Sequence, residues 1–173
     1  MAPWSIAYLP ILAAPVRTVA WYPLWCDTPD LAAELMKPAL CYSGGALILS
    51  ENGNRVFLTW TQVGQQFGLT ASEKSEKHWV EGCLDRIQCS FEDPWGKVRG
   101  AVLKKVELYA AADDELGNVV GAKHTLENSD GRFSMWIGTG GDNRIGDSDD
   151  LWVSVGVEPD NLSTLALILT LEA

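Results

Sequence analysis

The sequence predicts an α+β fold that is mainly β, with antiparallel sheets and one or two short helices. Short runs of β-branched and aromatic residues alternate with turns rich in Gly, Pro and Asn, which is typical of antiparallel strands. One hairpin phrase occurs twice, and two further apolar strands follow its second copy. At 173 residues the chain fits one compact domain, 1–173, which buries about 70% of its unfolded surface and so can form a proper core.

The repeated phrase is GALILSENGNRVFLTW at 45–60 and GAKHTLENSDGRFSMW at 121–136. Asn52 and Gly53 tolerate the positive φ of a tight hairpin turn, and NSDG at 128–131 offers the same chemistry. Each copy therefore predicts two strands joined by a turn, and the second strand of each ends in Trp.

The match extends beyond the turn residues, because both copies share a Phe and a Trp that no turn requires. Strand pairs are also predicted before each copy: 4–12 with 17–25, and 83–91 with 100–110. We therefore predict an internal duplication of a four-strand unit, with similar tandem units at 1–75 and 76–150. Convergence of two unrelated hairpins on the same turn chemistry is the alternative.

Two short helices are predicted outside the repeated phrase. In DTPDLAAELMKP, at 27–38, Pro29 suits the first helical turn and Pro38 ends the helix. TASE at 70–73 forms a capping box that predicts a second helix over about 72–80.

The last third of the chain is predicted to hold a long loop and two strands. The loop is GTGGDNRIGDSDD at 138–150, and the strands are LWVSVGV at 151–157 and LALILTLE at 165–172. The final strand is apolar on nearly both faces, which predicts a central position in a sheet.

Charge is unevenly distributed along the chain. The net charge is −10, and residues 106–173 carry all of it, with three basic and thirteen acidic residues. A surface of this sign repels phosphate backbones and anionic headgroups, so neither a nucleic acid nor a membrane is expected as a partner. Such an acidic surface either only keeps the protein soluble or docks a basic protein.

The N-terminal apolar run is too short to span a bilayer. It extends from Ile6 to Val16, no Lys or Arg precedes it, and Pro10 interrupts it. We expect a strand of the mature chain here and a cytoplasmic protein.

The acidic loop is the best candidate for a binding site. Asp142, Asp147, Asp149 and Asp150 lie within nine residues, and Trp136 and Trp152 flank them. Carboxylates beside exposed Trp anchors suit a basic protein partner. Oxygen-rich loops also bind calcium, but the spacing lacks the Gly and Glu of an EF-hand, and no metal is assigned.

Histidine and cysteine provide no recognisable catalytic motif. His78 is expected to be exposed, and His124 to pack within a hairpin at a position where the first copy has Ile48. The four cysteines lack CxxC spacing, so buried free thiols are expected, with one or two disulfides if the chain is exported: Cys26, Cys41, Cys83 and Cys89. No phosphate loop, dinucleotide fingerprint or nucleophile elbow is present, and no cofactor is expected.

These patterns favour a non-catalytic acidic protein-binding module. An inhibitor or immunity-type protein that occludes a basic toxin or nuclease would have this composition. Two alternatives stay open. One is a small hydrolase or metal-dependent enzyme that uses His124 with a nearby carboxylate, and the other is a structural module that pairs through exposed strand edges.

Overall fold

The computed structural model describes residues 2–24, 36–72, 87–88, 94–114, 117–146 and 148–173. These residues form one short α-helix, two short 3-10 turns and twelve strands in two antiparallel sheets. The helix α1 spans Ala2–Tyr8. The strands are, in chain order, β1 Val16–Pro23, β2 Ala39–Tyr42, β3 Gly44–Ser50, β4 Arg55–Val63, β5 Gln66–Ser72, β6 Ile87–Gln88, β7 Val102–Ala111, β8 Val119–Asn128, β9 Gly131–Gly141, β10 Arg144–Ile145, β11 Leu151–Val155 and β12 Leu165–Glu172.

The two sheets pack face to face. The five-stranded sheet has the order β5-β4-β3-β1-β6, and the seven-stranded sheet has the order β12-β7-β8-β9-β11-β2, with β10 attached to β9. The main core lies between them and includes Trp21 and Ile48 from the first sheet and Leu108 and Ile137 from the second. The prediction of a mainly β fold with antiparallel sheets is confirmed.

The N-terminal segment is a helix, and the prediction of a strand over 4–12 is wrong. Trp4, Ala7, Tyr8 and Ile11 recur at helical spacing and all pack against the main core. Pro3 lies in the first turn of α1, where a missing backbone N–H costs nothing. The helical spacing was therefore present in the sequence. It was overlooked because Pro3 and Pro10 interrupt the apolar run.

Both predicted hairpins are present. β3 and β4 pair up to Leu49 and Arg55, and β8 and β9 pair up to Asn128 and Gly131. Each turn thus lies where the Gly- and Asn-rich segment predicted it.

The matched aromatic residues of the two hairpins face different sides of their sheets. Phe57 packs with Tyr22 on the face away from the main core, whereas Phe133 packs against the main core. Trp136 lies on the outer face of its own sheet. Side chains alternate along a strand, so an odd shift in turn position reverses which residues face the core. The internal duplication into units 1–75 and 76–150 is not confirmed and stays a prediction.

The arrangement of the strands differs from the prediction at three places. β6, within 83–91, pairs with β1 and not with the strand at 100–110. β12 lies at an edge of the seven-stranded sheet, although its apolar composition predicted a central strand. The expected long loop at 138–150 is instead the end of β9, a tight turn and β10. The helices predicted at 27–38 and 72–80 fall almost entirely on residues outside the described part of the chain.

A second apolar cluster covers the outer face of the seven-stranded sheet. Val120, Trp136 and Trp152 of that sheet pack there against Ile145 of β10, with Leu162 beside them. The chain from β9 to β12 thus folds back over this face, which brings its acidic turns to one end of the sheet. Among the described residues, no helix is long and apolar enough to cross a membrane.

Candidate functional site

The turns at one end of the seven-stranded sheet carry six described carboxylates. Antiparallel pairing brings the ends of β7 and β9 to the same end of the sheet as the starts of β11 and β12. We call this region the acidic end, and its residues are Asp113, Asp114, Asp142, Asp149, Asp150 and Asp160. The same turns hold one described cation, Arg144, so these seven side chains have a net charge of −5.

A two-residue turn between β9 and β10 presents the first exposed carboxylate of the acidic loop. Asp142 and Asn143 have φ values of 50° and 59°, the left-handed conformation that Asp and Asn tolerate best among non-glycine residues. Gly140 precedes the turn with a φ of 149°, and a Cβ there would lie 2.0 Å from the carbonyl oxygen of Arg144. The local sequence therefore forces a sharp reversal that points Asp142 into solvent.

Asp160 joins the acidic end through tertiary contacts, and sequence analysis did not identify it. Its backbone N–H donates to the Asn143 carbonyl at 2.8 Å. The neighbouring Asn161 is buried, and its side chain accepts from Ile145 N at 3.0 Å and donates to Ile145 O at 2.7 Å. Asn161 thus hydrogen bonds to β10 as an adjacent strand would, and this holds Asp160 beside the turn. The surrounding stretch EPDNLST at 158–164 is mostly polar, so the sequence gives no signal for this contact.

The loop between β10 and β11 supplies the remaining predicted carboxylates. Asp149 is exposed, and Asp150 is partly buried because its carboxylate accepts a hydrogen bond from Ser43 Oγ. The Asp150 carbonyl also accepts from Gly140 N at 3.0 Å, which ties this loop to the end of β9. Asp147 lies outside the described residues. The structure therefore brings Asp142, Asp149 and Asp150 to the same end of one sheet.

The two predicted Trp anchors are buried, and the expectation that they lie exposed beside the acidic loop is corrected. Trp136 and Trp152 are 0% and 1% exposed, and both pack in the outer-face cluster. Trp136 Nε1 donates to Glu158 Oε2 at 3.0 Å, and Trp152 Nε1 donates to Asn143 Oδ1 at 3.4 Å. Buried indoles pair their N–H in this way, so these residues support the acidic turns from beneath and present no surface to a partner.

His124 is fully buried between the sheets, in agreement with the expected packed position. Its Nδ1 lies 3.1 Å from the Met135 carbonyl and its Nε2 lies 2.7 Å from the Tyr8 hydroxyl. A carbonyl only accepts, so Nδ1 carries the proton and the Tyr8 hydroxyl donates to Nε2. Burial lowers the pKa of His124 to about 4, and burial also raises the pKa of Tyr8. Both groups are neutral at physiological pH and have no access to a substrate.

A cleft of about 390 Å³ lies beside the acidic turn. Lys37, Cys41, Asp142, Asn143 and Trp152 are among its lining residues. Cys41 is exposed, contrary to the expectation of burial, and its thiol donates a hydrogen bond to the Gly140 carbonyl at 3.1 Å. The other three cysteines and His78 lie outside the described residues. Within the described part of the chain, no three His, Cys, Asp or Glu residues are grouped to hold a metal ion.

The opposite end of the same sheet is basic. Residues 95–105 contain Lys97, Arg99, Lys104 and Lys105 and no acid, and they lead into the start of β7. Arg132, at the start of β9, pairs with Glu127 at 2.7 Å, and this hydrogen bond lowers the pKa of Glu127. We call this region the basic end. Its cations are Lys97, Arg99, Lys104, Lys105 and Arg132, and its carboxylates among the described residues are Glu127, Asp130 and Glu172, so these eight side chains have a net charge of +2.

The two ends are separated by the length of β7. Ten residues at about 3.4 Å each span roughly 30 Å. The Debye length at physiological salt is about 8 Å, so each end acts on a partner as an independent surface.

Comparison with known proteins assigns no family: no protein-family model, no curated protein and no solved structure matches this chain.

Proposed function

We propose that the protein is a non-catalytic binding module whose acidic end docks a basic protein and occludes its cationic site. The supporting observation is that separate turns converge on one end of the sheet with six carboxylates and a single guanidinium. The partner would be of the kind that an inhibitor or immunity protein neutralises, such as a basic toxin or nuclease.

The rigidity of the acidic turns supports this proposal. Asp142 lies in a two-residue turn, and Asp160 is held next to it by the Asn143 carbonyl. Asp150 is fixed by Ser43 and by Gly140. Turns whose backbone is already positioned lose little conformational entropy on binding, so more of the electrostatic attraction contributes to affinity.

The side chains of Asp142, Asp149 and Asp160 at the acidic end are exposed to solvent. A surface with this excess of negative charge accelerates association with a cationic protein and disfavours acidic ones.

The position of His124 does not favour the hydrolase alternative. It relied on His124 as the catalytic residue, and His124 is buried with both ring nitrogens hydrogen-bonded to protein groups. A general base must reach a substrate proton directly or through one water, which a histidine enclosed between two sheets does not do.

The test is capture of host proteins on the immobilised chain at low and at moderate salt. A triple variant with Asp142→Asn, Asp149→Asn and Asp160→Asn removes three exposed charges from the acidic end. Asn keeps the left-handed turn at position 142 because its side chain tolerates the same φ. A stoichiometric basic partner should bind the unaltered chain, and its affinity for the triple variant should be about tenfold lower or weaker still.

A matched control distinguishes the effect of charges at the acidic end from the effect of the net charge of the whole chain. Glu51→Gln, Asp130→Asn and Glu172→Gln also neutralise three exposed carboxylates, and both triple variants have a net charge of −7 instead of −10. The control variant should bind the partner like the unaltered chain. Equal loss of binding in both variants, or no basic partner at low salt, would refute the proposal.

A further inference from the structure

The β12 strand is an exposed apolar edge. It pairs with β7 on one side only, and no strand among the described residues pairs with its other side. Leu167 and Ile168 are 51% and 37% exposed, and Glu172 at the end is the only charge in LALILTLE. Natural edge strands are normally protected by charges, by Pro or by bulges. β12 has neither Pro nor an internal charge, and its one protective feature is the irregularity at Ile168.

The hydrogen-bonding pattern shows which backbone groups point outward from this edge. Ala112 N donates to Thr164 O, and Ala173 N donates to Lys104 O, each at 3.0 Å. Along an antiparallel pair, residues alternate between those whose N–H and C=O groups bond to the partner strand and those whose N–H and C=O groups point away from it. With the register shift at Ile168, the outward-facing backbone groups are those of Leu165, Leu167, Thr170 and Glu172.

We propose that this edge pairs antiparallel with β12 of a second copy of the chain, about a two-fold axis near residues 168–169. In that register, Leu167 of one copy lies opposite Thr170 of the other, and Leu165 lies opposite Glu172. Each of these positions has its backbone groups directed outward, so the ladder closes on both sides of the bulge. Leu169 and Leu171, which are partly buried against the main core, extend the core face of the joined sheets.

The opposite net charges of the two ends, −5 and +2, favour a second copy as the occupant. β12 begins beside the acidic end, where Leu165 pairs with Ala111, and finishes beside the basic end, where Glu172 pairs with Lys105. An antiparallel pair of β12 strands therefore places the acidic end of each copy next to the basic end of the other, on both sides of the axis. A parallel arrangement would place like ends together. The two-fold interface is closed, so it yields a dimer and not a filament.

The direct test is the mass of the full chain in solution by sedimentation over a range of concentrations. The unaltered chain should reach the mass of a dimer. Leu167→Glu adds a like charge to both copies at the edge and should weaken dimerisation at least about tenfold. Met36→Glu is the matched control, because Met36 is 54% exposed and precedes β2, which forms the other edge of the same sheet, and it should leave the dimer intact.

The register is tested by disulfide capture. Residues that are directly opposite have Cα atoms about 5.5 Å apart, within the range that a disulfide spans. A mixture of Leu167→Cys and Thr170→Cys chains should form a 167–170 crosslink under mild oxidation, identified by mass spectrometry of the joined peptides. Neither variant alone should link to itself at the introduced position, because the axis separates identical residues by about three residues along the strand.

Three results would overturn the proposal: a monomer at every concentration, a dimer that Leu167→Glu leaves unchanged, or a dimer without the 167–170 crosslink. Thr170→Pro provides a second variant if Leu167→Glu fails to fold, because it removes an outward N–H that β7 does not use. Capture and mass measured together separate this proposal from the function proposed above: a monomer that still captures a basic partner through the acidic end would overturn only the dimer, and a dimer that captures no basic partner would overturn only the function.

Discussion

Acidification is expected to destabilise this fold through His124. The histidine is fully buried, and its neutral form uses Nδ1 as a donor to Met135 and Nε2 as an acceptor from Tyr8. Protonation adds a second N–H to the ring, at Nε2. The Tyr8 hydroxyl must then turn to accept from Nε2, its own proton loses its acceptor, and a charge is left between the sheets. The protonated form is therefore far less stable in the folded than in the unfolded chain.

The direction and magnitude of the pH effect on the free energy of unfolding follow from the linkage between protonation and folding. The pKa of His124 is about 4 in the folded chain against 6.5 unfolded, so the unfolded chain binds one more proton between these values. The stabilisation is present above the unfolded pKa and is lost as the pH falls toward the folded pKa. The free energy of unfolding should decrease by about 3 kcal/mol between about pH 7.5 and about pH 4.

The assay is urea unfolding followed by Trp fluorescence at a series of pH values. His124→Gln removes the titration while its amide can still accept from Tyr8 and donate to Met135. The pH dependence over this interval should therefore flatten in His124→Gln. His78→Gln is the matched control, and it should retain the full decrease.

Two outcomes would refute the reasoning. If the unaltered chain lost no stability between about pH 7.5 and about pH 5, the histidine would not be held neutral by burial. If His124→Gln showed the same decrease as the unaltered chain, the loss would come from carboxylates and not from His124.

Two further substitutions test the residues that hold the acidic turns in place, and both are measured by urea unfolding. Asn161→Ala should lower the free energy of unfolding by about 2 to 4 kcal/mol, because the two hydrogen bonds to Ile145 are lost in a buried site. A loss below about 0.5 kcal/mol would mean that water replaces Asn161 there. Gly140→Ala should cost about 3 kcal/mol or more, because its Cβ would clash with the Arg144 carbonyl. Gly131→Ala is its control, since φ is also positive there but nothing lies within 4 Å, and equal costs would exclude the clash as the cause.

The features that the sequence predicted correctly depend on local interactions. Both hairpins were predicted because Asn and Gly tolerate positive φ whatever surrounds them. The packed position of His124 followed from strand alternation. By contrast, the helical spacing of Trp4, Ala7, Tyr8 and Ile11 was overlooked because Pro10 suggested a strand edge. Pro3 is compatible with the first turn of a helix.

The candidate site was predicted in part for the same reason. The carboxylates at 142, 149 and 150 are close in sequence, so their proximity in space needed no knowledge of the fold. Asp160 was missed because an Asn161 side chain, bonded to Ile145, brings it beside the turn. Trp136 and Trp152 were placed on the surface because composition does not state which face of a strand an indole occupies or what covers that face.

By itself, the sequence determined that this chain forms antiparallel strands with tight hairpin turns and that its negative charge lies in the last 68 residues. Only the tertiary structure decided which turns share an end of a sheet, which aromatic residues are covered and which strand is left at an edge. The physical reason is that turn propensity and strand alternation depend on a few neighbouring residues, whereas strand order depends on contacts between residues far apart in the chain. The apolar strand β12 shows this most clearly. Its composition predicts a central position in a sheet, whereas the fold places it at the edge of the seven-stranded sheet.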